Sequence, residues 1–180
     1  MKHQSKTNHI KSQKEIIHKK NPEINTDSKF FEIISIIFIS VLGFIVYSNS
    51  FNCSFQFDDF ESIMNNKSIQ NIFGIKGWWN FSPNRFISFF SFAIDYHFHQ
   101  FDVKYYHYVN LLIHIINAIL IFFITKQLLS TSNINTPKLS INKSIIALFT
   151  ALLFVSHPLS TQSVTYIVQR QNSLATLFYL

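Results

Sequence analysis

One cysteine, Cys53, in a chain of 180 residues leaves no material for a disulfide framework. Charge is also scarce. Only 13% of the residues are charged while 48% are hydrophobic, with 21 Phe against 3 Gly and 4 Pro, and mean hydropathy is +0.18. A disordered chain is too polar to have this composition. A single soluble domain is harder to exclude on totals, since the length fits one domain and an apolar fraction near one half is ordinary. Arginine is nearly missing: Arg85 and Arg170 are the only two, and Lys supplies the rest of the positive charge.

The distribution of residues decides between the classes. Lys2, Lys6, Lys11, Lys14, Lys19 and Lys20 crowd a polar head that also holds His3, His9 and His18, and after Lys29 the composition switches to Phe and Ile. A basic head could serve as a nucleic-acid arm, but an apolar run directly behind it favours the cytoplasmic flank of a membrane helix, and no nucleic-acid partner is expected. The run lacks the small-residue cleavage site of a signal peptide. Phe30 to Tyr47 offers about 18 residues, enough to cross a hydrocarbon core of roughly 30 Å. A second span is expected within 105–129, a third over 139–156, and the start of a fourth at about 163–180. The organisation is thus a basic cytoplasmic tail over 1–29 and a membrane domain over 30–180, with an extracytoplasmic loop over 48–104. The fold class expected is all-α, a polytopic membrane bundle. Within the loop, Arg85 to Phe98 places Ser88, Ser91 and Asp95 at steps of three and four, an amphipathic helix suited to lie in the interface.

Lysines set the orientation. With the basic head inside, the loop from Lys126 through Lys138 to Lys143 is also inside, so Asp58, Asp59 and the pair His157-Pro158 share the outer face. The adjacent carboxylates Asp58 and Asp59 lie just beyond the first span. Neighbouring side chains diverge, so one can address a substrate while the other is held, and a carboxylate near a low-dielectric boundary tends toward the higher pKa that suits a general base. Spacing alone fits a solvated acidic turn at least as well. Arg85 and Arg170 can grip a phosphate bidentately, pair with Asp58, Asp59 or Asp95, or snorkel to headgroups. Gln162, Thr165, Gln169 and Asn172 form a polar stripe on the helix expected after Pro158. His107, Asn110, His114 and Asn117 share one face of the second span, where interhelical hydrogen bonding suits them better than metal binding, and no metal-ligand set is recognisable. Asn52, Asn66 and Asn80 match the glycosylation pattern, as chance allows in so Asn- and Ser-rich a chain.

Taken in order, FDDFESIMNN, NRFISFFSFAIDY, YYHYVNLLIHIINAIL and ALLFVSHPLSTQSVTYIVQRQNSLATLFYL resemble the amino-terminal part of the transmembrane and tetratricopeptide-repeat O-mannosyltransferases and their bacterial relatives, within the C-type superfamily of glycosyltransferases. The resemblance covers about Tyr47 to Leu180 and rests on the order and spacing of four blocks. It implies an amino-terminal fragment of an integral-membrane, multi-pass enzyme, in an inner or plasma membrane were the source bacterial. Its interfacial helices would lie in the first outer loop. It also implies inverting transfer of a sugar, often mannose, from a polyprenyl-phosphate donor in the lipid to a hydroxyl of a protein or glycan acceptor. Carried over, Asp58 is the general base and Asp59 its companion, both catalytic. Arg85, His157, Arg170 and Gln162 are the substrate or carrier-phosphate residues. No metal ligand is assigned, and a divalent metal stays open as a cofactor. The sequence departs from the family at Gln162 and Gln171, where carboxylates are usual, and at Phe86, where Pro is usual. The alternative from another class is a non-catalytic membrane anchor or interaction module derived from that family. A transporter fits less well, because its ionisable groups belong near the midplane and here they gather at one face.

Overall fold

The computed structural model describes residues 26–131 and 139–180, with side chains at 29–131 and 143–180. Most of the basic head and the loop containing Lys138 lie outside the described residues. Among the described residues every regular element is a helix, as expected of an all-α chain: α1 (Thr26–Tyr47), α2 (Ile75–Phe81), α3 (Phe86–His99), α4 (Val103–Ser130), α5 (Leu139–Ser156), α6 (Ser160–Thr165) and α7 (Arg170–Tyr179). Short 3-10 turns and one π turn at Phe60–Met64 fill the connections. The chain divides into two units, 1–34 and 35–180. The first is described only over the opening of α1, where Ile33 and Ile34 are exposed.

Two stretches, Lys29–Asn52 and Val103–Ser130, are long and apolar enough to cross a membrane, while Lys143–Ser156 is shorter. The core helix of a soluble protein would be mostly buried. In the most apolar window of each stretch only 22% and 39% of the residues are buried, so Ile37, Phe38, Val41, Phe44, Leu112 and Phe123 face outward. Apolar surface of that extent is stable against lipid and unfavourable against water, which suits a membrane setting.

In the second unit α4 and α5 pack through small residues. Ala118, Ala147 and Ala151 are fully buried with Ile39, Phe122 and Val155. Gly43 lets α1 approach both: a Cβ there would lie 3.1 Å from Ile115 Cγ1 and from Val155 Cγ2. A separate aromatic core holds the 55–101 segment against the start of α4. In it Trp78, Phe89, Phe92 and Tyr106 surround Ile63, Ile69 and Ile167, and the Trp78 indole donates to Ser68 O at 2.8 Å.

One feature fills in what the sequence reading left open, and a second differs from it. The polar stripe of α3 points inward: Ser88 and Asp95 are buried and Ser91 is half-buried, while Ile87, Phe90 and Phe98 are exposed. The reason is an interior cation, Arg170, that this stripe solvates. The helix expected to run on from residue 163 is instead interrupted at Tyr166 (φ −92°, ψ 110°), followed by a 3-10 turn and then the ten-residue α7. Gln162, Thr165, Gln169 and Asn172 therefore do not form one continuous stripe, although Asn172 still donates to Gln169.

Candidate functional site

The acidic loop is held from both sides. Phe57 sits at φ 42°, a left-handed conformation that a side chain other than glycine's adopts at a cost, and its ring meets Tyr166 edge-on with centroids 6.5 Å apart. Asp59 is 1% exposed and accepts two backbone N–H groups, from Gln56 to Oδ2 at 2.9 Å and from Val168 to Oδ1 at 2.7 Å. Burial pushes its carboxyl up from the ordinary range, the N–H donors oppose the rise and the Asp58 charge adds to it. Asp58, by contrast, is exposed. Its backbone N–H donates to the Tyr166 hydroxyl at 3.0 Å, and that hydroxyl is also within hydrogen-bond reach of the Asp58 carboxylate. Partial burial, with the Asp58 and Asp59 charges beside it, pushes the Tyr166 hydroxyl up, so it stays a neutral donor. One carboxylate is thus clamped into the fold and its neighbour is presented outward, the division of labour that divergent side chains allow.

Val168 can clamp Asp59 because the helix breaks at Tyr166 and frees backbone groups there. The carbonyls of Val164 and Ile167 both accept from Asn110 Nδ2, at 3.3 Å each. Arg170 then opens α7 with its guanidinium fully buried. Nη1 pairs with Asp95 Oδ2 at 2.6 Å and reaches Ser91 Oγ at 3.1 Å; Nε donates to Asn110 Oδ1 at 2.6 Å; Nη2 donates to Tyr106 O at 3.0 Å. The cation also lies 4.5 Å from the Phe92 ring centroid. Burial pushes the Asp95 carboxyl up, and the guanidinium opposes that rise. The carrier-phosphate role expected for Arg170 is corrected by this geometry: every nitrogen of its guanidinium is engaged inside the protein, and Asp95, one of the carboxylates it was expected to meet, is its partner.

Arg85 is exposed at the start of α3, which no side chain caps. It lines a cleft of about 400 Å³ together with Phe86 and, from α7, Gln171, Leu174 and Phe178. The cleft therefore combines a guanidinium, an amide and an apolar wall. His157 is exposed and closes its own turn, with Nδ1 accepting from the Leu159 N–H at 3.2 Å. Gln162 is exposed on α6. The structure thus joins Asp58 and Asp59 to the 166–168 segment and places Arg85 opposite α7, while the Gln162 carbonyl accepts from the Tyr166 N–H at 3.3 Å and His157 bonds within its own turn. Among the described residues no three His, Cys, Asp or Glu side chains come together to hold a metal. Tyr166 was missed by sequence reasoning, because neither Gly nor Pro marks the break at that position.

On α4 the polar face bonds carbonyls of neighbouring segments. His107 Nε2 meets Cys53 O at 3.2 Å, His114 Nε2 meets Val155 O at 3.2 Å, and Asn117 Nδ2 donates to Ser173 O at 2.9 Å. Asn66 is buried and bonded to Ser68 and Ser62, so its glycosylation pattern is part of a turn.

Fold and site together define a helical membrane protein that displays an acidic loop against a broken helix. Compared with known proteins, the chain is 28% identical over 177 residues to the protein O-mannosyl-transferase Tmtc3 of Drosophila melanogaster, covering 86% of this chain and 19% of that relative. It is 26% identical over 147 residues to human TMTC3, covering 74% and 15%. It is 27% identical over 162 residues to F38B6.6 of Caenorhabditis elegans, also named a protein O-mannosyl-transferase, covering 82% and 22%. The resemblance drawn from the four sequence blocks is to these TMTC proteins. The chain spans about a fifth of the length of the curated relatives it matches. No protein-family profile matches it, and no solved structure gives a significant match.

Proposed function

We propose that this chain carries the acceptor-activating face of an integral-membrane glycosyltransferase. In this reading a sugar, mannose in the first instance, passes from a polyprenyl-phosphate carrier to a hydroxyl of a protein or glycan. Asp58 takes the hydroxyl proton, the oxygen attacks the anomeric carbon from the face opposite the carrier, and the carbon–oxygen bond to the phosphate breaks with inversion. Arg85, beside the apolar wall of Leu174 and Phe178, steadies the negative charge left on the carrier phosphate. The observation that carries the reading is the contrast at the acidic pair: Asp59 buried and bonded to two backbone N–H groups, Asp58 exposed beside the Tyr166 hydroxyl. A basic head on the inner side, an outer catalytic face and several passes are parts of the same proposal.

Asp58→Asn is the test, in transfer assays from polyprenyl-phosphate-mannose to an acceptor peptide. A general base contributes about 10²–10⁴-fold, so kcat falls by that factor. Thermal stability stays within about 0.5 kcal/mol, as for an exposed site. Retention of full transfer by this variant overturns the proposal. The second reading, a non-catalytic anchor or interaction module, is favoured by Gln171 facing the Arg85 cleft where the resembled family usually carries an acid. It predicts that Asp58→Ala is silent. Asp59→Ala does not discriminate, because Asp59 holds the fold whichever reading is right.

A further inference from the structure

A second cavity, of about 160 Å³, lies among α4, α5, α6 and α7 and shares no residue with the Arg85 cleft. His114, Asn117, Ser160, Ser163, Ser173 and Thr176 line it. Three of the four hydroxyl protons of this wall are committed to carbonyls of the protein. Ser160 donates to Phe154 O at 3.3 Å, Ser173 to Ser163 O at 3.2 Å and Thr176 to Asn172 O at 2.9 Å. A hydroxyl has one proton and two lone pairs, so each presents only acceptor oxygen to the space. Asn117 spends Nδ2 on Ser173 O, and its Oδ1 is buried with no partner in a residue 1% exposed. His114 meets the Val155 carbonyl through Nε2, and a carbonyl only accepts, so Nε2 holds the proton and a neutral ring leaves Nδ1 as a further acceptor. The wall is therefore rich in oxygen acceptors. Phe154 and Val155, whose carbonyls these groups engage, stand in the last turn of the eighteen-residue α5, the negative end of that helix.

We propose that this cavity is a binding site for a small monovalent cation, Na⁺ or K⁺, coordinated by Asn117 Oδ1 and the hydroxyl oxygens of Ser160, Ser173 and Thr176. Hard oxygen donors suit such an ion. No carboxylate lines the space, so a divalent charge would be left uncompensated. A water molecule takes up about 30 Å³, so the volume admits the ion with part of its hydration shell. The site stands independently of the transfer reaction.

The test uses the purified chain in lipid nanodiscs, at constant ionic strength set with N-methylglucamine chloride, titrated with NaCl or KCl while thermal unfolding is followed. The expected result is a saturable rise in midpoint with one of the two ions. Thr176→Val is the main variant: it keeps the side-chain shape and gives up only a bond to its own helix. Its apparent ion affinity falls at least tenfold, and Asn117→Ala weakens it further if that variant folds. Sodium-23 line broadening by the wild type, lost in Thr176→Val, reports the same site directly when Na⁺ is the ion. A midpoint that is the same in all three cations means the cavity holds water only and overturns the proposal. So does a rise that is undiminished in Thr176→Val.

Discussion

Replacing Asp95 by Asn is the sharpest perturbation of this architecture. The substitution keeps the size of the side chain and an acceptor oxygen near Arg170 Nη1, but removes the carboxylate paired with a guanidinium that has no exposure to solvent. The hydrogen bonds to Asn110, Ser91 and Tyr106 O remain, and none carries a formal negative charge. Breaking a buried ion pair from one side costs about 3–5 kcal/mol, because the orphaned charge stays in low dielectric. Total stabilities are about 5–15 kcal/mol, so the loss is a large fraction of the whole. At roughly 2–4 °C per kcal/mol for a chain of this size, the unfolding midpoint in detergent falls by about 6–20 °C. Arg170→Met combined with Asp95→Leu recovers part of the deficit, since no buried charge is left, but not all of it, because Asn110 Oδ1 and Tyr106 O lose a donor. A double-mutant cycle on these two positions gives the coupling. An Asp95→Asn midpoint within 2 °C of the wild type would refute the reasoning, since it would mean that Arg170 reaches water and was never dependent on Asp95.

Two smaller perturbations probe the acidic loop. Tyr166→Phe removes the acceptor for the Asp58 N–H, a bond worth about 1 kcal/mol, so exchange of that amide with deuterated solvent quickens roughly fivefold while the amides of α4 keep their rates. Asp59 gives a pH signature. Its folded pKa is raised above the ordinary 3.8, so the folded state holds the proton more tightly than the unfolded chain. This contribution to stability is complete below the unfolded pKa and is lost as pH rises through the folded one. Denaturation measured from about pH 3.5 upward therefore shows stability falling with pH from this group, and Asp59→Asn removes its share of that slope.

Much of this was legible from composition and order. Hydrophobic runs of spanning length predict helices, because a backbone in lipid must satisfy its own hydrogen bonds. Steps of three and four put His107, Asn110, His114 and Asn117 on one face, and the structure finds them bonded to carbonyls of neighbouring segments. The same periodicity was ambiguous for Ser88, Ser91 and Asp95: it says that they share a face and is silent on whether the face meets solvent or a cation. Arg170 illustrates the limit, since a lone arginine beside an apolar run reads equally as a phosphate ligand, a headgroup contact or a buried counter-ion. Its actual partner sits 75 positions earlier in the chain.

The sequence by itself determined the class of the protein: a helical fold, two apolar runs long enough to cross a membrane, and a resemblance carried by four spaced blocks. These are local or near-local properties, set by the lengths of apolar runs and by helical periodicity. Only the tertiary structure decided which of two adjacent aspartates is buried and which is exposed. That outcome depends on Val168 and Tyr166, more than a hundred residues away, whose N–H and hydroxyl become available because a helix breaks where no glycine or proline announces it. Hydrogen bonds between distant segments are chosen by packing, and packing is what a linear reading does not contain.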